Sequence, residues 1–295
     1  MSKGYVFLFV IILIFGSLIS DTWKIESSIS ISMNQNYYSE NWSGDEKGSI
    51  SWVSNFDLLA EKQMSQKLLN KNMIKLAFGQ THNQYIAEES GDKKWGKPDK
   101  TTDNIDLESI MLLTLGSFVD PYFSLRLESQ FLDESYPEET KSFNPNILTE
   151  SVGISKFFIK EDAKEFSSRL GASFKQYLNS HEDIENTNDG GIELVVDYKT
   201  PLAQEVITYH SKLNVYKALF YSESEDLEGT AWEDDWKAPR VNWENTLTAS
   251  ITKLINLIFS FNLIYNETDY DMAGKSINDI QYKQTLSLGL SYKLK

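Results

Sequence analysis

Charged residues of both signs recur at even spacing along this chain. Lys71 and Lys75, Asp106 and Glu108, Arg126 and Glu128, and Glu193 and Asp197 are examples. An even spacing places both members on one face of a β-strand. Carboxylates facing ammonium and guanidinium groups on such a face can conduct ions, bind a polar solute or neutralise one another. The full set on this parity comprises Lys24, Lys71, Lys75, Arg126, Arg169, Lys175, Lys199, Lys212 and Lys283 against Glu26, Asp57, Glu61, Asp106, Glu108, Glu128, Glu193, Asp197 and Glu244. The signs nearly cancel, whereas a strongly selective pore would show one sign in excess. Hairpin geometry pairs several of them. A symmetric turn near Gln66 sets Asp57 against Lys75 and Glu61 against Lys71, and a turn near Pro201–Leu202 sets Glu193 against Lys212.

Catalysis needs a nucleophile or activated water within reach of a base. The chain has three histidines. His82 and His181 fall in or beside loops, and His210 is expected to face inward opposite Val195. Ser211 follows His210 directly and so points to the other face, where the two cannot pair. The expectation is a protein that is not an enzyme and carries no cofactor, with an outer-membrane hydrolase as the remaining catalytic alternative.

A third group of residues is acidic. Glu223, Glu225, Asp226, Glu228, Glu233, Asp234 and Asp235 crowd one segment; His181, Glu182, Asp183, Glu185 and Asp189 another; Glu267, Asp269 and Asp271 a third. Oxygen-rich clusters can hold divalent cations, here between loops and an anionic glycolipid surface. The spacing fits no defined calcium loop, and charge runs are ordinarily solvated faces.

The elements that must position these groups are strands. Period-two alternation marks them at 23–37, 49–63, 68–81, 103–115, 121–133, 148–159, 165–178, 191–200, 205–221, 240–252, 256–267 and 280–294. Apolar residues keep one parity, as in Ile105, Leu107, Met111, Leu113 and Leu115, or Leu257, Phe259, Phe261, Leu263 and Tyr265. In the sixth strand Glu150 and Lys156 share the parity of Val152, Ile154 and Phe158, which places both charges at the rims. Connections alternate between tight turns and long polar loops, the pattern of an outer-membrane barrel with both termini on the periplasmic side. A soluble sandwich or lipocalin-like barrel would bury the apolar parity instead. Strand number, strand length and aromatic strand ends (Trp23, Phe131, Phe166, Tyr198, Trp243, Tyr292) favour the membrane form. Between eight strands, which leave room for side chains, and sixteen, which leave an aqueous channel, about twelve do not decide whether the lumen is open.

The net charge of -15 argues against nucleic acid, which needs a basic footprint. The absence of cysteine removes disulfides, thiolate metal sites and a lipid-anchored N-terminus. Residues 1–20 read as a signal peptide. Lys3 precedes an apolar run over 5–15 that falls short of a bilayer span, and small residues from Gly16 to Ser20 allow cleavage before Asp21. Residues 21–295 then form the barrel, leaving no room for a plug, a passenger or a wall-binding domain.

Several motifs carry a resemblance. Asn41-Trp42-Ser43-Gly44 with Ser49-Ile50-Ser51 is similar to the first-loop motif of an outer-membrane family catalogued as domain of unknown function 3078. Lys100-Thr101-Thr102-Asp103-Asn104-Ile105-Asp106-Leu107 resembles its approach to the fourth strand, Val241-Asn242-Trp243-Glu244 its tenth strand, and Leu288-Gly289-Leu290-Ser291-Tyr292-Lys293 its last. The pattern departs at Asp45, where a glycine is expected, and at Leu294-Lys295, which replace a terminal aromatic. The resemblance implies an outer-membrane barrel and no activity.

The sequence therefore predicts an all-β, single antiparallel transmembrane β-barrel in the bacterial outer membrane. Its function is expected to be that of a narrow polar-lined channel or solute-binding, porin-like barrel. The lining comprises Asp57, Glu61, Lys71, Lys75, Asp106, Glu108, Arg126, Glu128, Arg169, Glu193, Asp197 and Lys212. The alternative is a closed structural barrel that acts through acidic extracellular loops. Candidate partners are membrane lipid, the barrel-assembly machinery, a small polar solute and divalent cations at the acidic loops, with no nucleic acid.

Overall fold

The computed structural model describes residues 23–38, 47–87, 92–136, 139–161, 163–182, 184–203, 206–230, 232–266 and 280–294. The expected signal peptide, the Asn41–Gly44 motif, Asp45, Asp183 and the acidic residues at 267–271 lie outside them. Twelve long strands follow in chain order: β1 Lys24–Asn36, β2 Ser49–Ser65, β3 Leu68–Ile86, β4 Asp99–Leu113, β5 Asp120–Ser129, β6 Asn146–Lys160, β7 Glu165–Leu178, β8 Thr187–Leu202, β9 Ile207–Tyr221, β10 Pro239–Ser250, β11 Ile255–Tyr265 and β12 Gln281–Leu294. Each pairs antiparallel with the next, and β12 pairs with β1, so the sheet closes on itself. Closure leaves no open edge, the condition for a barrel that must satisfy its own backbone.

Alternation does the sorting. Ile154, Leu170, Ile192, Leu257 and Leu286 point outward and are exposed, Leu286 at 68%. Asp106, Glu108, Glu193 and Lys212, on the opposite parity, are buried inside. This is the reverse of a soluble barrel and settles which way the two parities face. Outward aromatics gather toward both rims. Phe158 stacks on Phe166 at 4.8 Å, and Tyr198 and Tyr209 continue the row toward the short turns. Trp52, Phe78, Phe131 and Phe143 form a second chain of contacts toward the long loops. Two such belts are what an interface on each side of a hydrocarbon layer selects.

Several expectations need correction. The fifth strand does not run to 133: β5 stops at Ser129, and Leu132–Asp133 pair instead with Lys141–Ser142. The cause is local, because both Asp103 carboxylate oxygens accept the chain's next amides, from Phe131 at 2.6 Å and Leu132 at 3.0 Å. Glu193 does not face Lys212. Asp197 does, and Glu193 faces Tyr216. His210 accordingly stands opposite Lys199, not Val195. Pro201 reads as a turn residue, yet it sits inside β8 opposite Thr208, and the chain reverses beyond it, through Ala203 at φ 48°. The shorter third and eighth strand expectations also fall short: β3 continues to Ile86, where Lys93–Trp95 pairs onto its end, and β8 begins at Thr187.

Candidate functional site: the barrel interior

The residues expected to line the lumen all fall on the inward parity. Asp57 lies directly opposite Lys75, and Glu61 opposite Lys71. Their ammonium groups nevertheless bond elsewhere. Lys75 reaches Glu244 on β10 at 3.2 Å, and Lys71 reaches Glu165 on β7 at 3.0 Å. Arg126 grips Asp106 with two bonds, 2.8 and 3.0 Å long, and touches Glu128 at 3.0 Å. Arg169 crosses to Glu108 at 2.6 Å, while Lys212 approaches the other Glu108 oxygen at 3.6 Å. The side chains of Arg169 and Glu108 are only 12% and 5% exposed. Paired guanidinium and carboxylate groups can be buried this deeply because each neutralises the other.

Glu193 is held differently. Ser151 and Ser173 donate to one oxygen at 3.0 Å each, and Asn214 donates to the other at 2.7 Å. Asp197 meets the His210 ring at 3.1 Å. His181 lies outside the barrel, buried in a loop cluster 3.3 Å from Asp133. Among the described residues no group of three or more acidic or histidine side chains is placed to hold a metal ion.

Interior residues that period-two reasoning did not single out complete the filling. Leu69, Ile110, Leu112 and Tyr122 form an inward apolar cluster near the short turns, joined by Met73 and Phe157. The warning in sequence is adjacent apolar pairs, Leu68-Leu69, Ile110-Met111, Leu112-Leu113 and Tyr122-Phe123, which put apolar residues on both faces. A cavity of about 40 Å³ lies beside this cluster, between Met73, Phe157, Val195 and Lys71. A second of about 10 Å³ lies among Glu108, Arg126, Thr149 and Arg169, at the lower limit for one water.

The interior is lopsided. On β4 to β9 the inward residues Asp106, Glu108, Ser124, Ser151, Ser173, Glu193 and Lys212 are buried. On the remaining wall Val53, Leu59, Ile258, Ile264 and the buried Asn256 also face inward, but many inward residues are short hydroxyls: Ser28, Ser30 and Ser32 on β1, Thr246 on β10, Ser260 on β11, Thr285 and Ser287 on β12. These are open or half-open, and Asp57, Lys283 and Thr285 are exposed although they face inward. No ion pair among the described residues lands on β11 or β12; Lys283 instead donates to the Thr101 carbonyl at 3.3 Å. The alternation Ser28-Ile29-Ser30-Ile31-Ser32 is the sequence signal of this wall.

A family model described as a protein of unknown function (DUF3078) matches residues 33–135, from the end of β1 into the loop after β5. No curated protein matches the chain. Among solved structures, the COG4313 outer membrane channel from Pseudomonas putida F1 is 14% identical, with 94% of this chain and 97% of that one covered and a TM-score of 0.42. The translocator domain of the autotransporter NalP from Neisseria meningitidis is 7% identical over 99% and 95%, with a TM-score of 0.34. At these scores neither neighbour carries an argument about activity. The chain is an all-β, closed barrel of outer-membrane type that resembles the DUF3078 family.

Proposed function

We propose that this chain is a bacterial outer-membrane barrel, exported by its first 20 residues, that passes small polar solutes along one wall of a lumen otherwise filled by ion pairs. The observation that carries the reading is the lopsided interior. Bulky paired charges occupy the β4–β9 side, and short hydroxyl side chains leave inward-facing Asp57 and Thr285 exposed on the other. A path of that kind is narrow, wet and nearly neutral, and it involves no catalytic step. Lipid and the barrel-assembly machinery are its partners in the membrane.

The test is single-channel recording on the refolded mature chain in a planar bilayer. Small discrete steps are expected, and Thr285→Trp, which fills the open side, should lower their amplitude several-fold. Steps unaffected by Thr285→Trp would place the path elsewhere, and a folded but silent protein would overturn the proposal. Silence would favour a closed barrel acting through its acidic loops. The ties near the short turns, Lys160–Glu61 and Lys199–Glu26, support that second reading.

A further inference from the structure

Two charges on the open wall form no ion pair among the described residues. Lys283 faces inward from β12 and is exposed, and its recorded contact is the Thr101 carbonyl at 3.3 Å. Asp57 faces inward from β2, also exposed, and touches the Ser28 hydroxyl at 3.5 Å. The other charged side chains described along that wall are engaged. Glu244 holds Lys75, Glu61 holds Lys160, and Glu26 draws Lys24 and Lys199.

The two differ in height. Lys283 is the third residue of β12, close to the long-loop mouth, where it reaches Thr101 near the start of β4. Gly289, six residues toward the short turns, pairs with Ser32. Ser28, the partner of Asp57, lies four residues further in the same direction. Ten residues of tilted strand at about 3.3 Å each set the two charges on the order of 20–30 Å apart along the wall. A solute entering from outside meets the ammonium first and the carboxylate second.

In a narrow lumen a fixed charge repels ions of its own sign and draws those of the other. The screening length is about 10 Å in 0.1 M salt, so each charge governs its own stretch of the path. An anion is drawn in by Lys283 and turned back at Asp57. A cation is turned back at Lys283 before it reaches Asp57. A solute that carries both charges offers its carboxylate to the first and its ammonium to the second. It has no net charge for either to repel.

We infer that Lys283 and Asp57 form a filter of two opposite charges in series, which favours small zwitterions of the amino-acid class over simple ions of either sign. This rests on the channel reading and adds to it a substrate class and the two residues that select it.

The two residues predict shifts of opposite sign. Zero-current potentials in planar bilayers under a KCl gradient near about 0.1 M read them directly. The wild-type chain should discriminate little between K⁺ and Cl⁻. Asp57→Asn should move its preference toward Cl⁻ and Lys283→Gln toward K⁺, each about two- to fivefold, the weight of one unit charge met at about 5 Å through water. Both shifts should shrink at about 1 M salt, where the screening length falls to about 3 Å. In vesicle uptake, glycine should enter the wild type faster than acetate or methylammonium. Asp57→Asn should let acetate catch up, and Lys283→Gln methylammonium. Heat-modifiable mobility on gels confirms that each variant is folded. Shifts of the same sign, no shift in either variant, or glycine no faster than the two ions overturn the filter while leaving the channel standing. Silence from the folded wild type and both folded variants overturns both.

Discussion

Lys71 and Glu165 meet at 3.0 Å across the barrel, although each faces a different charge in its own hairpin. Lys71 stands opposite Glu61, and Glu165 opposite Lys160. The two hairpins exchange partners, since Lys160 reaches Glu61 at 3.1 Å. Two ion pairs that could each have closed within a hairpin instead join the β2–β3 turn to the β6–β7 turn. Lys71→Glu should lower barrel stability by about 1–3 kcal/mol. Combining it with Glu165→Lys should recover part of that loss. Urea unfolding in lipid vesicles measures both, and a double variant no better than the worse single one would contradict the exchange.

Gly171 is a second point of close approach. A Cβ there would sit 2.5 Å from the Val152 carbonyl and 2.6 Å from the Tyr122 hydroxyl. Tyr122 is pressed against this strand pair, and the Arg169 guanidinium lies over its ring at 5.4 Å. Gly171→Ala is expected to cost about 1–3 kcal/mol, the range for overpacking an ordered interior. Adding Tyr122→Phe should relieve some of it by removing the hydroxyl. The same unfolding titration serves, and a neutral Gly171→Ala would show that the strand can yield.

The absence of cysteine makes the interior open to labelling one position at a time. Cysteine at Ser30 or Thr285 should react readily with a small water-soluble thiol reagent in the folded barrel. Cysteine at Ser124 or Ser151, on the buried wall, should react at least about tenfold more slowly, since labelling follows access to solvent. Equal rates on the two walls would erase the lopsided interior and with it the proposed path.

Beyond the barrel, the loop after β5 locks onto the loop after β7. Asn144, fully buried, donates to Asp133 at 2.6 Å and to Asn179 at 3.0 Å, and accepts the Ser180 amide at 2.7 Å. Tyr136 packs on the His181 ring at 4.1 Å. Burial pushes the Asp133 carboxyl up, but the Ser135 hydroxyl and amide, the Asn144 amide and His181 outweigh it and hold it below the usual aspartate range. A lowered carboxylate stabilises at pH above its unfolded value of about 3.9 and loses that contribution as pH falls through the folded one. Amide exchange in residues 179–182 should therefore stay slow near neutrality and quicken only in acid beyond the intrinsic pH trend. Asp133→Asn should remove that step, and its persistence there would assign it to another group.

How much of this is legible in the chain depends on distance along it. Asp57–Lys75 and Glu61–Lys71 are readable by counting from Gln66, although the register also depends on the bulge between Gln63 and Ser65, since the turn itself pairs Ser65 with Leu68. The β8–β9 register is not, because Pro201 imitates a turn from within a strand. The inward parity of the charged residues is readable too, since alternation is local. Their partners are not. Lys75 to Glu244, Lys71 to Glu165 and Arg169 to Glu108 are set by the cross-section of the closed ring, which no pair of neighbouring strands contains. Leu69, Leu112 and Tyr122 escape for a related reason: they put apolar groups on the inward parity, where they form one cluster with Ile110 that Met73 and Phe157 join.

The pairing of β1 with β12 is short, running only from Ser27 and Leu294 to Ser32 and Gly289, while β1 and β2 match from Lys24 and Glu61 to Asn36 and Ser49. It also joins the two ends of the strand order, the costliest closure in chain entropy. The ionic ties among β3, β4, β5, β7, β9 and β10 need neither β11 nor β12. The charged centre can thus assemble while the cylinder is still unzipped. The clasp that finally shuts it lies along the same hydroxyl-bearing wall, so the side on which a path is proposed is also the side held by the shorter seam.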